Sequence, residues 1–257
     1  MAAATMLSLD GAVALVTGAS GGLGRHFAGT LARAGASVAV AARRRDKVQE
    51  TVAAIEAEGG KAFAVDMDVT DAGSVAEAFG RVEDELGTVS IVVNNAGIAS
   101  RGAPQDIEEA EWDRAMDTNL KGVWLVATEA ARRMIAAGRG GSIVNIASIM
   151  GLRITAGLSP YAISKAGVVQ MTKSCALEWV RHGIRVNALA PGYFETDINR
   201  EFLKTDAGQA IIKRIPMRRT GDMKDLDGPL LLLASEAGAF MTGTVIPVDG
   251  GHMVSGL

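Results

Sequence analysis

Cysteine is almost absent. Cys175 stands alone in 257 residues, so no disulfide can form within the chain and no thiol-rich metal site can be built. It falls in a helical stretch beside Ala176 and Leu177 and reads as a packed structural thiol. Histidine is nearly as scarce: His26, His182 and His252 are the three present, and none makes a metal-ligand spacing, so no metal is expected. Aromatics contribute 4% against 48% hydrophobic residues in all, which calls for an interior of alanine, valine, leucine and isoleucine packed between helices and a parallel sheet. No apolar run approaches the roughly 20 residues that cross a bilayer. The first Lys or Arg is Arg25, so the opening lacks the basic start of a secretory signal. A net charge of −3 and a pI near 5.7 leave no electrostatic footprint for nucleic acid. Without internal repeats or low-complexity linkers, the expectation is one cytoplasmic domain over residues 1–257, with no nucleic-acid or membrane partner.

What is present is a repeating alternation. Strand-like runs occur at Val13 to Thr17, Ser37 to Ala41, Ala62 to Asp66, Ile91 to Asn94, Ser142 to Ala147, Arg185 to Ala190 and Thr244 to Val248. Helical stretches separate nearly all of them, which predicts an α/β, doubly wound Rossmann fold: a parallel sheet of about seven strands with helices on both faces. In such a sheet functional groups gather at the strand C-termini. Here those positions hold a glycine loop, Arg43, Asp68, Asn95, Ser148 and Pro191, so one edge collects them all.

The loop between the first strand and the first helix carries Gly18, Gly21, Gly22 and Gly24, with Ser20 and Leu23 among them. Glycines there allow a tight turn and a close backbone approach to a pyrophosphate, and they leave the helix N-terminus open to an anion. Farther along, Tyr161 and Lys165 stand one helical turn apart and emerge on the same face. An unperturbed phenol has a pKa of about 10, and an ammonium beside it favours the phenolate. We therefore expect Lys165 to lower the Tyr161 pKa.

These features together, Thr17-Gly18-x-x-x-Gly22-x-Gly24, Asn94-Asn95-Ala96-Gly97, Asn119, Ser148, Tyr161-x-x-x-Lys165 and Pro191-Gly192-x-x-x-Thr196, resemble the short-chain dehydrogenase/reductase family from Leu9 to Gly251. Enoyl reductases of that family widen the tyrosine-lysine gap, which is not widened here. The resemblance implies a hydride transfer in which Tyr161 exchanges a proton with the substrate oxygen and Ser148 steadies that oxygen. It further implies that Lys165 holds the nicotinamide ribose and that Asn119 positions a water linking Lys165 to solvent. Asp68 and Val69 would meet the adenine, Asn95 would stabilise the central strands and line the adenosine side, Ala96 and Gly97 would lie close to the cofactor, and Thr196 would meet the nicotinamide carboxamide.

At the end of the second strand Ala42 replaces the acidic residue that an NAD site commonly places there, and Arg43 follows it, suited to a 2′-phosphate. NADP(H) is the expected cofactor, with NAD(H) the alternative. Residues 193–220 form the expected substrate lid, offering Tyr193, Phe194, Ile198, Phe202, Leu203, Ile211 and Ile215, while Leu158 comes from the loop before Tyr161. Such a lid fits a largely apolar ketone or secondary alcohol. The resemblance also extends to 3-oxoacyl-carrier-protein reductases and to sugar-acid ketoreductases, and a non-catalytic nucleotide-binding sensor is the reading from another class. The stretches Glu111 to Ala137 and Tyr161 to Arg181 carry apolar residues on more than one face, and a second apolar stripe must bury itself elsewhere. We expect a homotetramer, with a dimer as the alternative.

Overall fold

The computed structural model describes residues 6–196 and 199–255. Its chain alternates β1 (Val13–Thr17), α1 (Gly22–Arg33), β2 (Ser37–Ala42), α2 (Arg45–Ala57), β3 (Lys61–Asp66), α3 (Ala72–Leu86) and β4 (Ile91–Asn94). There follow α4 (Glu109–Met116), α5 (Gly122–Ala136), β5 (Gly141–Ile146), α6 (Ser159–Trp179) and β6 (Ile184–Pro191). Short α7 (Arg200–Lys204) and α8 (Asp206–Arg214), then α9 (Asp227–Ala234) and β7 (Val245–Val248), complete the order. The strands form a seven-stranded parallel sheet in the order β3-β2-β1-β4-β5-β6-β7. This is the doubly wound fold expected.

Strand alternation divides the core into two layers. Ala14 and Val16 of β1 face the side covered by α1 and α9, where Phe27, Leu31, Leu226 and Leu230 pack. Val13 and Leu15 face the other side, against Val75 and Phe79 of α3 and Val126 and Met134 of α5. Both faces of β1 are buried along its whole length, which is why the strand reads as a continuous apolar run instead of an alternating one. Among the described residues no helix is long and apolar enough to cross a membrane.

Two expectations about helices change. The stretch expected as one helix from Glu111 to Ala137 contains a π turn at Asp117–Lys121 between α4 and α5. Asn119, in that turn, is fully buried. A Cβ on Gly122 would lie 2.8 Å from Val69 Cγ2, so the widened turn brings α5 directly onto the loop after β3. The helix of Tyr161 starts earlier, at Ser159, with Pro160 in its first turn, and passes into a 3-10 turn at Val180–His182 that Gly183 ends with a φ of 71°.

Candidate active site

The sheet order reverses between β1 and β4, whose C-terminal ends part to open a crevice. Thr17 ties that gap. Its Oγ1 accepts from Asn95 N at 3.0 Å and Ala96 N at 3.1 Å, while Asn95 Nδ2 donates to Thr17 O at 3.0 Å and Gly18 O at 3.3 Å. α1 then begins at Gly22 with Gly21 as N-cap and no side-chain cap, unlike α3, where Asp71 accepts from Gly73 N and Ser74 N. The first amides of α1 are therefore left for a ligand. A Cβ at Gly18 would sit 2.8 Å from Ala96 Cα, and Gly18 holds a φ of 65°, so no other residue fits the turn without strain.

A cleft of about 660 Å³ runs from this loop to the other half of the sheet edge. Of the catalytic and cofactor residues named from the sequence, all but Gly24 and Asn119 line it. Of those named for the lid, Tyr193, Phe194 and Phe202 do, whereas Leu203, Ile211 and Ile215 do not, Leu203 and Ile215 being buried in the core. Gly24 lies beneath the loop: a Cβ there would come within 2.5 Å of both Asn95 Nδ2 and Gly18 O, so its role is close packing of α1. Ile198, named for the lid, lies outside the described residues. Phe194 reaches the cleft wall, yet it is 4% exposed and its ring fills the space beside Gly221, which makes it more core than contact surface. Thr196 bonds Asn199 Oδ1 through its amide at 2.8 Å, and its methyl lies 3.8 Å from where a Gly22 Cβ would stand.

At one end, Arg43 stands 3.7 Å from Asp68 Oδ2. Asp68 Oδ1 accepts from the Thr70 amide at 3.0 Å and hydroxyl at 2.8 Å. The Thr70 amide is the largest of the influences that hold this carboxyl below its ordinary range. Arg44, passed over in the sequence, donates to Ser20 Oγ at 3.0 Å, so two guanidinium groups flank the end of β2.

At the other end Ser148 Oγ accepts from Met150 N at 3.1 Å, and its hydroxyl lies within hydrogen-bonding reach of the Tyr161 phenol. Lys165 is 4% exposed and donates to Ile146 O at 2.7 Å. Its Nζ lies 5.8 Å from the centroid of the Tyr161 ring. Here the expectation about pKa is corrected. Burial pushes the Tyr161 phenol up, and it is a hydrogen bond with Ser148, not the lysine, that pulls it back. Burial also brings Lys165 down to about 8. Desolvation acts first on the ammonium itself.

Asn119 is tied on two sides. Its Oδ1 accepts from Ile98 N at 2.8 Å, and its Nδ2 donates to Ile98 O at 2.9 Å and to Ser164 Oγ at 3.1 Å. The side chain pins the Ile98 backbone and α6 together. Thr17 could have been found from its place before Gly18, and Ser164 from its place before Lys165. Arg101, which lines the cleft with its guanidinium 4.7 Å from the Phe202 ring centroid, carries no local signal at all. Among the described residues no group of three or more His, Cys, Asp and Glu could hold a metal ion.

A family model described as enoyl-(acyl carrier protein) reductase matches residues 18–253. The chain belongs to the short-chain dehydrogenase/reductase family. It is 39% identical to gluconate 5-dehydrogenase of Gluconobacter oxydans over 97% of this chain and 98% of that one. It is 38% identical to a 3-oxoacyl-(acyl-carrier-protein) reductase of Staphylococcus epidermidis over 93% and 97%. Among solved structures, a gluconate 5-dehydrogenase from Burkholderia cenocepacia in complex with NADP and tartrate superposes with a TM-score of 0.95, at 37% identity, over 99% of this chain and 100% of that one. The chain is thus an oxidoreductase of a family that works on CH-OH groups.

The buried ammonium has a testable consequence. A lysine with a pKa of about 8 when folded and about 10.4 when unfolded makes the unfolded chain bind more protons between those values, so stability rises with pH across that window. We predict that the thermal midpoint of the protein, measured against Lys165→Met as internal reference, climbs relative to the variant from pH 8 to pH 10. A difference independent of pH would mean that Lys165 is not desolvated.

Proposed function

We propose that this protein is an NADP(H)-dependent oxidoreductase that interconverts a ketone and a secondary alcohol on a small hydroxylated carboxylic acid. The observation that carries the acid is Arg101. It faces the half of the cleft that holds Ser148 and Tyr161, and among the described residues no carboxylate pairs with it. The one acidic residue on the described cleft wall, Asp68, is at the far end beside Arg43. The Arg101 charge is felt inside the site, where it acts against the burial that raises the Tyr193 phenol. A guanidinium lying over an aromatic ring keeps its N–H edges free for a carboxylate. The names of the gluconate dehydrogenase relatives support the same reading.

The residues present fit a dinucleotide: the uncapped start of α1 and the glycine cradle suit a pyrophosphate, and Arg43 with Arg44 suits a 2′-phosphate. Crystals of relatives with bound NADP point the same way. The nicotinamide supplies or accepts the hydride. Of the chain's own groups, Ser148 donates to the substrate oxygen, Tyr161 gives or takes the proton there, and Lys165 holds ribose hydroxyls beside Tyr161.

A second reading, an apolar ketone or a 3-oxoacyl thioester, is favoured by Met150, Leu158 and Phe202 on the same wall. A panel of ketones with and without a carboxylate, run with NADPH and NADH, separates the two. We expect the acids to be turned over best and with NADPH. Arg101→Leu should raise their KM by about tenfold to a hundredfold, the loss of a charge-assisted hydrogen bond, and leave neutral ketones unchanged. Equal use of neutral ketones by the unaltered protein would favour the second reading.

We further propose a homotetramer. Val123, Val126 and Met134 are buried within the chain, but Trp112, Trp124, Ile163, Leu177 and Val180 are exposed, and Trp124 lines a shallow groove with Met116, Leu120 and Met171. Apolar side chains left exposed along α4 to α6, beside a groove that Asp117 and Lys121 also line, call for a partner, and a two-fold contact supplies the same face from a second copy. Light scattering at micromolar concentration should return about four times 26.6 kDa. A monomer would end this reading.

A further inference from the structure

Behind the substrate half of the cleft sits a turn that the catalytic residues do not explain. Residues 249–255 leave the end of β7 and fold into a 3-10 turn at His252–Val254. Asp249 builds it: Oδ1 accepts from Gly251 N at 2.9 Å and Oδ2 from Met253 N at 2.7 Å. The turn grips three parts of the site at once. Its Gly250 carbonyl accepts from Met217 N at 3.2 Å, just beyond the lid helix α8. Its His252 carbonyl accepts from Arg153 Nη1 at 2.5 Å, from the loop between Ser148 and Tyr161. The His252 ring lies against Tyr193, centroids 5.7 Å apart and tilted by 39°, and Met253 packs on the cluster of Ile149, Met150 and Ala162, beside Tyr161. None of these turn residues lines the cleft, whereas Tyr193, Met150 and Tyr161 do.

We propose that this turn is the positioning element for the substrate, with His252 setting the Tyr193 ring as a wall of the cleft and Met253 backing Tyr161. His252 Nδ1 is buried without a hydrogen-bond partner, so the ring belongs there as the neutral imidazole. The charged and titratable groups around it are Arg153, Arg214, Asp249 and Tyr193. Burial, then Arg153, lowers the His252 pKa, Asp249 opposes them, and Arg214 adds to the lowering. The neutral ring is therefore held above about pH 6.5, the ordinary histidine value. As pH falls below that value the loosened turn takes up the proton more readily than the ordered one, and the wall gives way. The inference rests on the reading above only in that the Tyr193 side receives the carbonyl compound.

The test uses the full chain and whichever carbonyl compound it turns over, so a failure of the acid reading leaves it intact. His252→Ala should raise that compound's KM by about tenfold or more, in line with the cost of a misplaced substrate, while the KM for NADPH stays within about twofold. His252→Phe keeps a ring against Tyr193 and should restore the KM, and it should flatten the rise in KM expected of the unaltered protein below pH 6.5. The imidazole NMR titration needs no substrate: with three histidines to resolve, the His252 midpoint should lie below 6.5 and move up in Tyr193→Ala, which opens the ring to water. The proposal is overturned if His252→Ala leaves the substrate KM unchanged or raises both KM values alike. It also falls if His252→Phe keeps the acid-side rise, or if the titration shows an ordinary histidine.

Discussion

Thr17 and Asn95 hold the two halves of the sheet together at the one place where its topology pulls them apart. A parallel sheet that reverses its strand order must part at the switch point, and there the backbone loses its ladder partners. Four short bonds between these two residues and their neighbours replace that ladder. With this clasp in place, Gly18 can lie against Ala96 and Gly24 can lie under Asn95 with no room for a side chain. The cradle for a pyrophosphate is therefore a by-product of how β1 and β4 are joined. The Ser148, Tyr161 and Lys165 half of the cleft hangs from β5 and α6 on the far side of the same clasp.

Burial governs the chemistry of that second half. Taking Lys165 out of water weakens its hold on a proton, and taking the Tyr161 phenol out of water strengthens its own. The two shifts part a pair that would differ little in water, so the phenol keeps its proton while the lysine gives up its own more readily. Ser148 is the protein's own counterweight, because its hydrogen bond with the phenol favours the ionised form against burial. The site is thus prepared by exclusion of water more than by an ion pair.

The strands could be read from the chain because each is a short, mostly apolar run, and the observed limits lie within a residue of those expected. The glycine loop was legible for the same local reason: its function is a property of consecutive residues. What could not be read depends on contacts between distant segments. The π turn at Asn119 exists because Asn119 reaches Ile98 and Ser164 and because Gly122 meets Val69, and no helical periodicity records such contacts. Arg101 lies in a loop without pattern, and its meaning comes from Phe202, a hundred residues on. The direction of the Tyr161 shift was misjudged because proximity to Lys165 is visible in the spacing, whereas the burial of both groups is a property of the fold.

The account stands or falls on the Tyr161 hydroxyl as the proton partner of the substrate oxygen. Tyr161→Phe keeps the ring that packs beside Met253 and Leu158 and removes only that group. With a compound the protein turns over, single-turnover kinetics of Tyr161→Phe should show the chemical step slowed by about 10² to 10⁴, the usual loss when general acid-base catalysis is removed, with NADPH binding unchanged by tryptophan fluorescence. A chemical step near the rate of the unaltered protein would contradict it.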